Sequence, residues 1–115
     1  MSVTIYHNPR CSKSRATLAL LEEKGVEPEI IEYLQTPPSK DEMIRILDGL
    51  GMEPRDLMRR KEEPYKALGL SDAEKTRDMM IDAMLDNPIL IERPVVVNGG
   101  RYALGRPPEN VLEIL

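Results

Sequence analysis

The sequence predicts an α/β protein with a mixed sheet, read as one domain over 1–115. Two local patterns carry that reading. In residues 2–6 (SVTIY), Val3 and Ile5 alternate with polar neighbours at the period of a strand, a helical stretch follows from about Ser12 to Lys24, and Glu29 to Leu34 (EIIEYL) is a β-branched run that reads as a second strand. Strand–helix–strand implies a parallel pair joined by a right-handed crossover. Near the other end, Val95-Val96-Val97, Asn98-Gly99-Gly100 and Arg101 to Leu104 form a hairpin signature, two strands joined by residues that tolerate positive φ.

The remaining elements fall in order between and after these. In the first helix, Ala16, Ala19 and Leu20 recur at helical spacing, Leu18 and Leu21 widen the apolar face, and Gly25 is the stop. Pro37-Pro38 breaks the chain. Ser39 with Glu42 three residues on makes a capping box that opens a helix through Met43, Ile44, Ile46, Leu47 and Leu50 up to Gly51. The polar stretch 53–70, with two prolines, predicts short helical pieces. A further helix starts at Ser71 or Thr76 and runs to Leu85, with Met79, Met80, Ala83 and Met84 inward, until Asn87-Pro88 ends it. Pro107-Pro108 open a last helix whose apolar side is Val111, Leu112, Ile114 and Leu115. The order βαβ, helices, ββα is the thioredoxin/glutaredoxin-like plan with a helical insertion at about 36–87.

Composition limits what such a chain does. Apolar residues are 41% and charged residues 31%, an ordinary globular balance. With four Tyr, no Trp and no Phe, the core is expected to be aliphatic, drawn from Leu, Ile, Val and seven Met. A net charge of -4 argues against nucleic acid or anionic membrane as partners, since both reward a basic footprint. No stretch approaches the roughly 20 apolar residues of a membrane span, and the N-terminus lacks the layout of a signal peptide. One cysteine makes no internal disulfide, so the expected location is cytoplasmic.

That cysteine stands in His7-Asn8-Pro9-Arg10-Cys11-Ser12-Lys13-Ser14-Arg15, just past the first strand, where α/β sheets place their sites. A helix N-terminus offers free N–H groups and partial positive charge, which favour thiolate over thiol and also bind oxyanions. Arg10, Lys13, Arg15 and a protonated His7 are candidates to add to that field. Each unit of pKa depression corresponds to about 1.4 kcal/mol of preference for the charged form. Cys11-Ser12-Lys13-Ser14 is C-x-x-S: Ser14 stands where a dithiol oxidoreductase carries its resolving thiol. Whatever Cys11 does, another molecule must complete the redox cycle. One Cys and one His are too few ligands for a metal.

These residues resemble the ArsC family, the glutaredoxin-linked arsenate reductases, nearly end to end: IYHNPRCSKSR, EYLQTPPSKDE, LMRRKEEPYKALGL, NPILIERPVVV and LGRPPENVLEIL. The resemblance implies reduction of arsenate to arsenite through one cysteine thiolate, with Cys11 catalytic and with glutathione and glutaredoxin as partners. It implies no bound cofactor. It implies an oxyanion-binding trio at Arg59, Arg93 and Arg106, which composition alone would not single out among ten arginines. By the same likeness His7 helps depress the cysteine pKa, Ser14 and Arg15 belong to the anion loop, and Pro94 is the cis-proline that faces the active site. The wider superfamily also includes Spx-like redox-sensing regulators that bind RNA polymerase. A regulator of that kind, or a thiol oxidoreductase with another substrate, is the alternative reading.

Overall fold

The computed structural model describes residues 2–115 and shows a four-stranded sheet in the order β2-β1-β3-β4. Its strands are β1 (Val3–His7), β2 (Glu29–Glu32), β3 (Val95–Asn98) and β4 (Arg101–Leu104). β1 runs parallel to β2 and antiparallel to β3, and β3 and β4 form the hairpin, so the sheet is mixed as predicted. The helices are α1 (Ser12–Glu23), α2 (Lys40–Leu50), α3 (Glu63–Ala67) and α4 (Arg77–Asp86). Short 3-10 segments cover Pro54–Leu57, Pro88–Leu90 and Pro108–Ile114.

The chain divides into two compact units, Met1–Thr36 with Arg93–Leu115, and Pro37–Glu92. In the first, register places Ile5 opposite Val96, and Val96 opposite Ala103, on one face of the sheet. Those side chains and Val3 pack with Leu21 of α1 and with Val111 and Ile114 of the closing segment. At about 25 cal/mol per Å² of buried apolar surface, this aliphatic layer is the main stabilising term of the unit. Gly99 turns the hairpin at φ 62°, a conformation that costs an L side chain energy. Asn98 Nδ2 donates to the Ile114 carbonyl at 2.6 Å and ties the closing segment to the sheet.

In the second unit α4 packs on α2 and on the 3-10 segments Pro54–Leu57 and Pro88–Leu90. Met43, Ile46 and Leu47 of α2, and Met80, Ile81 and Met84 of α4, are buried. Lys40 bridges α2 to Asp78 and Asp82 of α4 at 3.0 and 2.9 Å, and Arg77 reaches Asp48 and Glu53 at 3.0 and 3.2 Å. Being exposed, these pairs fix register more than they stabilise.

Several local expectations change. β2 ends at Glu32, because the N–H groups of Gln35 and Thr36 both close on the Glu32 carbonyl and turn the chain. Tyr33, read as strand, lies in that turn and is fully buried, and Tyr6 is buried as well, so the interior is not purely aliphatic. In α1, Ala16 and Ala19 face solvent, while Ser14, Thr17 and Leu21 are buried. Only half of the predicted capping box forms: Ser39 Oγ accepts from Glu42 N–H at 3.1 Å, but the Glu42 carboxylate pairs with Arg45. α4 starts from Thr76, which caps Met79 N–H, and turns Ile81 inward in place of Met79. The segment after Pro107 is 3-10 rather than α-helix.

Candidate functional site

β1 delivers the chain to His7, and a tight turn then presents Cys11. Cys11 N–H donates to the Asn8 carbonyl at 3.0 Å, closing that turn. Cys11 itself is the N-cap of α1, with φ -92° and ψ 125°, and its side chain caps nothing. Its sulfur therefore meets the free N–H groups of the first turn. Burial pushes the Cys11 thiol up. The Ser14 N–H, the charge of Arg93, the Lys13 N–H and a hydrogen bond from Arg93 outweigh it and hold the thiol below its ordinary value.

The side chain that lowers the Cys11 pKa comes from Arg93, far away in sequence. Arg15 Nη1 turns back to the Pro9 carbonyl at 2.9 Å, and Lys13 acts through its backbone. His7 is buried, and burial drives its pKa below 6.5; Glu32 opposes that and Arg15 adds to it. A ring held neutral supplies no charge at physiological pH, so the protonated His7 considered from sequence gives way to a different role. Its Nδ1 lies 2.6 Å from Ser14 Oγ, which also accepts the Asn8 N–H at 3.0 Å. A serine hydroxyl can donate to Nδ1 or accept from it, so this bond forms with either ring tautomer. His7 and Ser14 thus tie the end of β1, the turn and the start of α1 together.

Arg93 comes from the segment before β3, and its bond to Pro94 is cis. The Arg106–Pro107 bond is cis too, which the sequence reading did not single out. Arg106 Nη1 donates to the Arg93 carbonyl at 3.4 Å, so these two predicted arginines come together. Arg59 stands in the second unit, where its N–H donates to the Leu90 carbonyl at 2.7 Å and its guanidinium pairs with Glu62 at 3.3 Å.

Gly105 was missed as a site element. Its N–H donates to the Pro94 carbonyl at 2.9 Å, and its own carbonyl accepts Thr17 Oγ1 at 3.3 Å. A Cβ here would fall 2.6 Å from Thr17 Oγ1 and 2.8 Å from Pro94 Cγ. Only glycine lets α1 approach the Pro94 segment this closely. The signal in the sequence was the lone glycine ahead of Arg106-Pro107. Among the described residues no group of three His, Cys, Asp or Glu side chains is placed to hold a metal, and no helix is long and apolar enough to cross a membrane.

A sheet of this topology, with a thiol at the start of its first helix and a cis-proline just ahead of β3, defines a thioredoxin-like protein. The chain belongs to the ArsC family, whose model matches residues 6–114. It is 55% identical over 114 residues to the uncharacterized protein YfgD of Escherichia coli (strain K12), covering 98% of this chain and 96% of that one. It is 49% identical over 114 residues to an arsenate reductase of the same strain, covering 99% of this chain and 81% of the relative. Among solved structures, an arsenate reductase from Vibrio cholerae superposes with a TM-score of 0.96 at 56% identity, covering 100% of this chain and 98% of the other.

Proposed function

We propose that this protein reduces arsenate to arsenite in the cytoplasm, using Cys11 as its one redox-active thiol and needing no bound cofactor. The observation that carries the reading is the Arg93 guanidinium at the Cys11 sulfur: one cation that favours the thiolate and is matched to an oxyanion brought against it. Similarity to arsenate reductases supplies the choice of oxyanion.

The steps follow from that arrangement. Arsenate binds to Arg93 and Arg106 and to the N–H groups at the start of α1. Cys11 thiolate attacks arsenic(V); an S–As bond forms, and one arsenate oxygen, protonated, leaves as water. Glutathione thiolate then attacks the Cys11 sulfur. An S–S bond forms, the S–As bond breaks with its electron pair going to arsenic, and arsenite leaves as arsenic(III). The two sulfurs lose one electron each. Glutaredoxin attacks the glutathione sulfur of the mixed disulfide and returns Cys11 as thiolate, a step required because Ser14 occupies the place of a resolving cysteine. His7, Ser14 and Arg15 act on the loop rather than on arsenic, keeping the N–H groups of the first turn aimed at the sulfur.

The test is a coupled assay with glutathione, glutaredoxin, glutathione reductase and NADPH. Wild-type protein should oxidise NADPH when arsenate is added and Cys11→Ser should not. Equal rates for the two at every arsenate concentration would refute the reading.

A further inference from the structure

A cleft opens beside the cysteine turn. It has a volume of about 140 Å³ and is lined by His7, Asn8, Pro9 and Arg10 on one wall and by Glu32, Leu34 and Gln35 on the other. None of the steps above uses it. Two opposite charges face it without meeting: among the described residues, the Arg10 guanidinium and the Glu32 carboxylate take part in no ion pair, with each other or elsewhere. Both are fixed by backbone. Arg10 N–H donates to Asn8 Oδ1 at 3.0 Å, and Glu32 pairs in register with His7 while its carbonyl accepts the N–H groups of Gln35 and Thr36. His7, whose Nδ1 is engaged by Ser14, also lines the cleft.

Two opposite charges held apart across a narrow gap form a complement to a zwitterion, not to an oxyanion, which Glu32 would repel. We propose that this cleft binds the α-amino-acid end of a γ-glutamyl thiol, its carboxylate on Arg10 and its ammonium on Glu32. Leu34 and Pro9 supply the apolar wall for the methylene chain. Arg10 adjoins Cys11, so a ligand seated here lies one residue, about 3.8 Å between Cα atoms, from the backbone that carries the sulfur. This rests on the reading that glutathione is the co-substrate, and it names the residues that select it over other small thiols.

The experiment uses S-methylglutathione, which binds but does not react, followed by backbone amide chemical shifts. Shifts should map to 8–10 and 32–35. Affinity should exceed that for S-methylcysteinylglycine, which lacks the γ-glutamyl end, by at least about tenfold, a difference of about 1.4 kcal/mol. Glu32→Gln should erase that preference, and Arg10→Gln should weaken S-methylglutathione alone. Equal affinities for the two ligands, shifts that map elsewhere, or a Glu32→Gln variant that keeps the preference would each overturn the proposal. Because the probe needs no turnover, its result separates from the arsenate assay. Binding here with no arsenate-dependent rate would sink the reductase reading alone, and a normal rate with no binding here would sink the subsite alone.

Discussion

Ser14 Oγ and His7 Nδ1 lie 2.6 Å apart, a buried bond that joins the first turn of α1 to the last residue of β1. Removing the hydroxyl leaves the ring nitrogen buried without a partner, and the Asn8 N–H as well. Ser14→Ala should therefore lose about 1–3 kcal/mol of stability in urea unfolding. Alanine keeps the N–H of residue 14, but without the tie to His7 the first turn loosens and that N–H is aimed less well at the sulfur, so the Cys11 pKa should also rise. Unchanged stability together with an unchanged thiol titration would contradict this role.

Arg93 is the side chain that lowers the Cys11 pKa. Arg93→Ala should move the thiolate absorbance transition to higher pH, and Arg93→Lys should move it less, since it keeps the charge without the fork. In the coupled assay the loss in kcat/KM should be about 10²–10³-fold, typical of removing one preorganised donor. Arg10→Gln is the control: its thiol titration should match wild type.

His7 is the only histidine, so its ring signals report one group. Burial sets its pKa below 6.5 and Glu32 works against that, so the NMR midpoint should lie below 6.5, and Glu32→Gln should lower it further. A folded-state pKa depressed for a base means that the unfolded chain binds the extra proton first. Stability is therefore lost as pH falls below about 6.5, until the folded-state pKa is passed. A midpoint at or above 6.5 would contradict the buried neutral ring.

The thiol gives a second dependence. Its folded-state pKa is depressed, so the stabilisation is full above the unfolded thiol value of about 8.5 and is lost as pH falls through the folded value. The stability gap between wild type and Cys11→Ala should widen from acid pH up to about pH 9 and then level off. A gap independent of pH would show that Cys11 contributes packing alone.

Gly105→Ala tests how closely the Pro94 segment rests on α1. Its Cβ would meet Thr17 Oγ1 at 2.6 Å and Pro94 Cγ at 2.8 Å, and Gly105 has no positive φ, so the cost is steric. A loss of about 1–3 kcal/mol in urea unfolding is expected, with part of it recovered when Thr17→Ala is added. Additive losses in the double variant would contradict the contact.

What could be read from the chain was what neighbours in sequence decide. The alternation in 2–6, the Asn-Gly-Gly turn and the place of Cys11 at a helix start are all local signals, and the structure reproduces them. The buried face of α1 was misread because its polar members are satisfied from afar: Ser14 by His7, and Thr17 partly by a carbonyl 88 residues away. The same distance hid the arginine that matters most. Four candidate cations sit within a few residues of Cys11, yet the one that acts on it stands at position 93, and only the family likeness pointed there. Pattern alone could not show the Gly105 contact either, since it exists only once the hairpin has returned to α1.

Cys11 is expected to perform the chemistry and a second molecule's thiol to finish it. The most direct measurement is the intact mass of the protein after incubation with arsenate and glutathione, with glutaredoxin left out. One added glutathione is expected, located on Cys11 by peptide mapping, dependent on arsenate and removed by glutaredoxin. Unmodified protein, or the same adduct at the same rate without arsenate, would contradict it.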